Sequence, residues 1–319
     1  MNIVEEALLF TCAGEALPGI IAWPAHLHAA NTAAGSANPA QTGREHPASF
    51  ADAAVSSGKE ASCGVLVIVG GPQYRVGSHR QFLLLSRRLA SEGYPVMRFD
   101  YRGMGDGGGT MRSFEDVSAD IGAAIDAFQY HCPSVQRIVL WGLCDAASAA
   151  LLYVEATRDW RVVGLALLNP WLRSEASLAQ THIKHYYGQR LLQREFWWKL
   201  CSGRMQVWHS LRGLLHSALL ARRSGQTGGA VATRSFQERM AAGWRQFSGR
   251  MLLILSAEDY TAKEFLEFAA ADPGWAGLIE ASKVRRIEIT DADHTFSSRA
   301  LRLAVEDATL TWLHTLPAA

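Results

Sequence analysis

The chain has 319 residues, 49% of them hydrophobic and 19% charged, which suits one large α/β domain or one domain with an insertion. Its formal net charge of +1 offers no basic surface for nucleic acid or an anionic membrane. No apolar run reaches the roughly 18 residues of a spanning helix, and the acidic first residues predict no signal peptide. The five cysteines are scattered and form no C-x-x-C pair, so we expect neither a zinc site nor a disulfide framework, and a cytoplasmic location.

The first predicted elements are two strands and a long insertion. Residues 3–10 and 17–23 have the pattern of a β-hairpin. Residues 25–62 are rich in Ala, Ser, Gly, Asn and Pro and show little periodicity, so we expect a flexible surface loop inserted between strands.

Apolar strands then alternate with amphipathic helices, which is typical of a parallel sheet covered on both faces. Together with the hairpin, these strands predict an α/β fold with a mostly parallel eight-stranded sheet. The later strands are predicted at 65–69, 96–99, 138–141, 162–168, 251–255 and 284–289, and the helices at 78–92, 114–130, 146–155, from about 262, and at 299–316.

Residues 170–248 contain no predicted strand and show helical spacing, which indicates a helical lid inserted over the carboxyl edge of the sheet. The core domain is then 1–169 and 249–319. Aromatic residues of the insertion, such as Trp171, Trp197 and Trp198, are candidates for an apolar substrate pocket. The alternative is that they form the core of the lid itself.

Residues 142–146 read G-L-C-D-A between an apolar strand and an Ala-rich helix. This is the layout of a nucleophile elbow, G-x-S-x-G, with Cys144 in place of the serine and Ala146 in place of the last glycine. A helix N-terminus favours a thiolate, so Cys144 is the candidate nucleophile. The alternative is a small buried cysteine that only packs.

Two later strand ends supply candidate partners for that thiol. Asp259 follows the seventh predicted strand and His294 follows the eighth. Nucleophile, acid and base thus occur in the order expected of an α/β-hydrolase, with His294 as base and Asp259 orienting it. Asp259 could instead be an ordinary loop acid or a helix N-cap, Glu258 is its nearest competitor, and His294 could be a surface histidine.

An acyl-transfer site also needs hydrogen-bond donors for the oxyanion. The backbone N–H of Asp145 is one candidate, and Gln73 is the other because Pro72 has no N–H; the alternative is a plain Gly-Pro turn. The carboxylate of Asp145 would oppose thiolate formation unless it points away or pairs with a cation such as Arg75 or Arg102.

A Gly-rich stretch at 100–109 reads D-Y-R-G-M-G-D-G-G-G. Its G-x-G does not open a helix at dinucleotide spacing, so we interpret it as a structural loop beside the active site and expect no nucleotide, metal or other cofactor. Arg102 in this loop is a candidate for an internal salt bridge.

These segments make the chain resemble an α/β-hydrolase over nearly its whole length. The cysteine elbow also resembles that of dienelactone hydrolase, whose nucleophile is a cysteine. Residues 142–151 and 69–82 are similar to the exosortase A system-associated hydrolase 1 family, which implies a bacterial protein encoded near exopolysaccharide and protein-sorting genes. The chain departs from the common pattern in Ala146 and in the 25–62 insertion.

We therefore expect a cysteine hydrolase that cleaves a small-molecule ester, lactone or thioester through an acyl-thioenzyme. An acyltransferase with the same triad would use an alcohol or amine in place of water. A third hypothesis is a partner protein that has this fold and weak catalysis, because fold does not determine function.

Overall fold

The computed structural model describes residues 3–36, 62–71, 73–172 and 234–317. The chain divides into one unit made of Met1–Leu172 and Phe236–Ala319 and a second made of Arg173–Ser235, nearly all of which lies outside the described residues. Trp197 and Trp198 of the predicted lid lie there as well. None of the described helices is both long enough and apolar enough to cross a membrane.

Eight strands form a single sheet, as the sequence predicts. They are β1 Ile3–Cys12, β2 Glu15–Pro24, β3 Ser62–Ile68, β4 Val96–Phe99, β5 Val135–Leu143, β6 Val162–Leu168, β7 Arg250–Ser256 and β8 Val284–Ile289. Their order across the sheet is β1-β2-β4-β3-β5-β6-β7-β8. The pairs β1–β2 and β2–β4 are antiparallel and every other neighbouring pair is parallel, so the carboxyl ends of β3 to β8 meet at one edge.

Helices cover both faces of this sheet. They are α1 Ala25–Ser36, α2 Gln81–Ser91, α3 Ser118–His131, α4 Asp145–Thr157, α5 Phe236–Gln246, α6 Tyr260–Ala271 and α7 Arg299–Leu313. One core layer holds the buried faces of α3 to α6, and the opposite layer holds those of α2 and α7. The two layers follow from strand periodicity: along β5, Leu140 faces the first layer while Val139 and Trp141 face the second.

Besides shifts in the ends of several other elements, the structure differs from the predicted elements at three places. Residues 25–36, predicted as flexible loop, form α1, while 37–61 lie outside the described residues. Helix α2 begins three residues later than predicted because His79 and Arg80 adopt left-handed backbone angles in a short 3-10 turn.

The third difference concerns α5, which the sequence assigns to the lid. In the structure α5 belongs to the first unit and its Met240 and Trp244 are fully buried. A Cβ at Gly243 would lie 2.3 Å from the carbonyl oxygen of Leu151, so the glycine permits α5 to pack closely on α4.

Candidate active site

Cys144 lies at the sharp turn between β5 and α4, with φ 62° and ψ −125°. These angles are unusual for a residue with a side chain and cost on the order of 1–3 kcal/mol. Two backbone hydrogen bonds hold the turn: the Cys144 N–H donates to the Leu168 carbonyl at 2.8 Å, and the Trp171 N–H donates to the Cys144 carbonyl at 3.3 Å. The half-buried Cys144 is therefore held in the strained geometry of a nucleophile elbow.

Gly142 explains why this turn requires a small residue before the cysteine. A Cβ at Gly142 would lie 2.6 Å from the carbonyl carbon of Ala146, closer than real atoms pack. The first turn of α4 thus passes directly over the glycine, as the G-x-C-x-A spacing predicts.

His294 and Asp259 come together at the ends of β8 and β7. The Nδ1 atom of His294 lies 2.8 Å from Oδ2 of Asp259. The same carboxylate is the N-cap of α6, accepting the N–H groups of Thr261 and Ala262 at 3.2 Å each. Asp259 is thus both the N-cap of α6 and the partner of His294. Glu258, the alternative candidate for the acid, is exposed beside Lys263.

The pKa of His294 is raised to about 10, chiefly by the hydrogen bond to Asp259 and next by a hydrogen bond to Cys144, while burial opposes the rise. Since Nδ1 is taken by Asp259, Nε2 is the ring nitrogen that remains for the thiol. The structure therefore brings together all three residues that the sequence nominates as nucleophile, acid and base.

Asp145 directs its carboxylate toward the loop after β3 and the first N–H groups of α4. Its Oδ2 accepts the N–H of Gly71 at 2.8 Å, and a Cβ at Gly70 would lie 2.1 Å from its Oδ1. Burial raises the pKa of Asp145, and the N–H groups of Gly71 and Ala146 offset part of that rise. The loop is thus fastened to the first residue of α4.

Neither of the two arginines suggested as a partner for Asp145 pairs with it. Arg75 pairs with the fully buried Asp100, and the Arg102 Nη2 atom lies 2.8 Å from Oδ2 of Asp120. The predicted internal salt bridge of Arg102 is therefore present, and both arginines fasten loops next to the site.

Gln73 lies on the same loop as Gly71. Its N–H donates to the Gly71 carbonyl at 2.8 Å, and its buried Oε1 has no hydrogen-bond partner among the described residues. Pro72, between them, lies outside the described residues. The N–H of Asp145 is in the first turn of α4, directly after Cys144. Both oxyanion assignments remain predictions.

Sequence reasoning missed two residues that lie under the site, Asn169 and Ser256. Both are buried, and the Asn169 amide contacts the Ser256 hydroxyl at 2.8 Å. The sequence feature that could have identified them is a polar residue at the end of an apolar strand or directly after it.

Within the described residues, no group of three or more His, Cys, Asp or Glu side chains is placed to hold a metal ion.

The sequence of residues 61–260 matches the protein family described as serine aminopeptidase, S33. The family is named for a serine enzyme, whereas the elbow of this chain holds Cys144. Comparison with curated protein sequences gives no significant match.

Several solved structures share the fold over nearly the whole chain. The esterase Pf2001 of Pyrococcus furiosus is 14% identical with a TM-score of 0.58, covering 98% of this chain and 93% of that one. An α/β serine hydrolase homologue from Coxiella burnetii is 13% identical with a TM-score of 0.52, covering 97% of each chain. Est1E of Butyrivibrio proteoclasticus, with bound ferulic acid, is 13% identical with a TM-score of 0.53, covering 97% of this chain and 98% of that one. At this identity the likeness shows the fold alone, and it confirms the predicted α/β-hydrolase fold.

Proposed function

The chain belongs to the serine aminopeptidase S33 family of α/β-hydrolases, and we propose that its nucleophile is the thiol of Cys144 rather than a serine hydroxyl. One arrangement supports the proposal: Cys144 lies on the strained turn after β5, and at the ends of β7 and β8 the Nδ1 atom of His294 lies 2.8 Å from Oδ2 of Asp259. A thiol on an elbow, a base and an orienting acid are the parts of a nucleophilic acyl-transfer site.

The proposed reaction has two steps. In the first, the Cys144 sulfur attacks the acyl carbonyl, its proton passes to His294, and the leaving alcohol or thiol departs with that proton while a thioester forms. In the second, His294 takes a proton from water, the hydroxide attacks the thioester, and the C–S bond breaks as the thiol regains its proton. Asp259 holds the ring and stabilises its charged form throughout.

The negative oxygen formed in each step requires hydrogen-bond donors. We assign one donor to the N–H of Asp145 and the second to Gln73. The Gln73 N–H donates to the Gly71 carbonyl in the structure, so this second role requires that bond to open when a substrate carbonyl enters. Hydrogen bonds that form fully only in the transition state are common in resting enzymes.

The proposed substrate is a small-molecule ester, lactone or thioester, because these acyl groups transfer readily to a thiolate. We propose that the lid predicted at 170–248 excludes α5, which packs on α4, and that Trp171 lies at the acyl group. The likeness of the elbow to exosortase A system-associated hydrolases leads us to propose a bacterial, cytoplasmic enzyme that acts on a precursor of an extracellular polymer.

The test is intact-mass spectrometry after exposure to a panel of acyl esters and thioesters. We expect an added acyl mass on the wild-type chain and on Cys63→Ala, and none on Cys144→Ala. Turnover by Cys144→Ala at the wild-type rate would overturn the proposal. Added alcohols or amines that carry off the acyl group faster than water would assign the same site to acyl transfer, and a wild-type chain that gains no acyl mass would favour a non-catalytic partner protein.

A further inference from the structure

A short segment at the end of β6 holds the backbone of the elbow from both sides. The Cys144 N–H donates to the Leu168 carbonyl at 2.8 Å, and the Trp171 N–H donates back to the Cys144 carbonyl at 3.3 Å. The Ser148 hydroxyl of α4 donates to the Trp171 carbonyl at 2.6 Å. We call residues 168–171 the β6 bracket. Any group anchored on this bracket is held at a set distance from Cys144.

Asn169 is the polar side chain of the bracket that points toward the other partners of the site. It is 0% exposed and has a φ of 42°, a left-handed angle that asparagine tolerates better than other residues with a side chain. Its Nδ2 donates to the main-chain carbonyl of His294 at 3.2 Å and to the Ser256 hydroxyl at 2.8 Å. Its Oδ1 accepts the Ser256 N–H at 2.8 Å. Both the nitrogen and the oxygen of the amide are therefore hydrogen-bonded.

Ser256, the last residue of β7, extends the same network to the neighbouring peptide. Its hydroxyl donates to the carbonyl of Asp293 at 2.9 Å, and its side chain is 1% exposed. The main-chain carbonyls of Asp293 and His294, two consecutive residues after β8, therefore accept hydrogen bonds from the buried side chains of Ser256 and Asn169. We call these two residues and their neighbours after β8 the histidine loop. The loop cannot move without leaving buried polar groups unpaired, which is costly.

We propose that Asn169 is a positioning residue that sets the distance between the imidazole of His294 and the thiol of Cys144. This inference rests on the proposed function, because it matters only if His294 serves Cys144. Asp259 orients the ring, whereas Asn169 anchors the backbone that carries the ring to the same bracket that holds the cysteine. Reacting groups must be placed within tenths of an ångström, so a loosened loop separates the pair even while Asp259 stays bound.

A purely structural role for Asn169 makes a different prediction. In that case its loss would lower the stability of the chain and leave the pH dependence of the thiol unchanged. The measurement must therefore report on the Cys144–His294 pair itself and not depend on an unknown substrate.

The experiment is the rate of iodoacetamide alkylation at Cys144 as a function of pH, followed by peptide mass spectrometry on the full chain. The variant is Asn169→Gly, which keeps the left-handed backbone and removes the amide. The matched control is Thr309→Val, which removes another buried hydrogen bond, to the Trp141 indole at 3.4 Å. The thiol of Cys63, whose pKa burial raises to about 11, is the internal reference for general unfolding.

For Asn169→Gly we expect alkylation of Cys144 to begin at higher pH than in the wild type and to fall about tenfold near neutral pH, toward the profile of His294→Ala. Ser256→Ala, which leaves the amide in place, should give a smaller shift in the same direction. Thr309→Val should follow the wild type.

Two results would contradict different claims. If His294→Ala differs from the wild type while Asn169→Gly and Ser256→Ala do not, Asn169 is not a positioning residue and the proposed function stands. If His294→Ala itself has the wild-type profile, the proposed function fails. Should Asn169→Gly not fold, Asn169→Ser decides, because it also removes the amide donor to the His294 carbonyl while keeping a short polar side chain.

Discussion

At the scale of single residues, the site places two acidic groups near one thiol and gives them different tasks. Asp259 faces His294 at 2.8 Å and favours the charged imidazole. Asp145, adjacent to Cys144 in sequence, turns to the Gly71 N–H. The first carboxylate orients and stabilises the charged ring, while the second places a negative charge beside the elbow.

Asp145→Asn tests whether that charge acts on the Cys144 thiol. Asparagine can still accept the Gly71 N–H, but the charge is gone, so alkylation of Cys144 at neutral pH should become roughly three- to tenfold faster. The measurement is the iodoacetamide rate at that peptide, with the exposed Asp116→Asn as control. An unchanged rate would mean that the Asp145 charge does not act on the thiol.

His294 gives a pH-dependent stability with a definite sign. Its pKa is raised to about 10 in the folded chain, against about 6.5 when unfolded. The folded state therefore binds more protons between these values, and the stabilisation is complete below about pH 6.5 and is lost as pH rises through about 10. Denaturant unfolding should show a steeper decline over this range for the wild type than for His294→Ala, by less than about 1.4 kcal/mol per pH unit. Parallel declines in the two proteins would contradict this expectation.

At the scale of elements, each candidate group lies where a parallel strand ends and a helix or loop begins. Cys144 is the residue before α4, and Asp259 is the N-cap of α6. Helix N-termini offer unpaired N–H groups and a positive end of the dipole. One strand–helix junction thus supplies the thiol, and another fixes the acid that orients its base.

Asp259→Asn separates the two roles of that N-cap. Asparagine caps helices about as well as aspartate, so the free energy of unfolding should stay within about 1 kcal/mol. The neutral amide no longer stabilises the charged ring, so acyl transfer to Cys144 should slow by roughly a thousandfold or more. Calorimetry and the rate of acyl-adduct formation check these two effects, and the neighbouring Glu258→Gln should change neither. A fast Asp259→Asn enzyme would remove Asp259 from the catalytic assignment.

At the scale of the whole described core, the loops around the site are fastened to the sheet layers by buried ion pairs. Asp120 on α3 is 0% exposed and accepts three hydrogen bonds from Arg102, at 3.0 Å from its N–H and at 2.8 Å from each of two guanidinium nitrogens. The pKa of Arg102 is raised, first by that hydrogen bond. The glycine-rich loop at 100–109 is thus structural, as the sequence predicts.

Asp120→Asn leaves the Arg102 charge without its counter-ion inside the protein. We expect the free energy of unfolding to fall by about 3 kcal/mol or more, because an unpaired buried charge is costly. The exposed Glu115→Gln on the preceding turn should change it by less than about 0.5 kcal/mol. The measurement is guanidinium unfolding of the wild type and the two variants. Equal midpoints would show that the Arg102–Asp120 pair contributes little to the free energy of unfolding.

Local patterns in the sequence determined the elements and the order of the site residues. Runs such as 162–168 and 251–255 are apolar enough to be buried strands wherever they lie, and Cys144, Asp259 and His294 could each be assigned to a strand end before any contact was known. The start of α2 was misplaced because the left-handed angles of His79 and Arg80 leave no mark in apolar spacing.

Only the tertiary structure decided the direction of the Asp145 carboxylate and the contacts of Asn169. Asn169 contacts residues 87 and 125 positions further along the chain, Ser256 and His294. Those contacts exist because β6 lies between β5 and β7 in the sheet, a neighbour relation set by strand order across the sheet. The sequence by itself determines which groups stand at strand ends; the packing of the strands decides which of those groups meet.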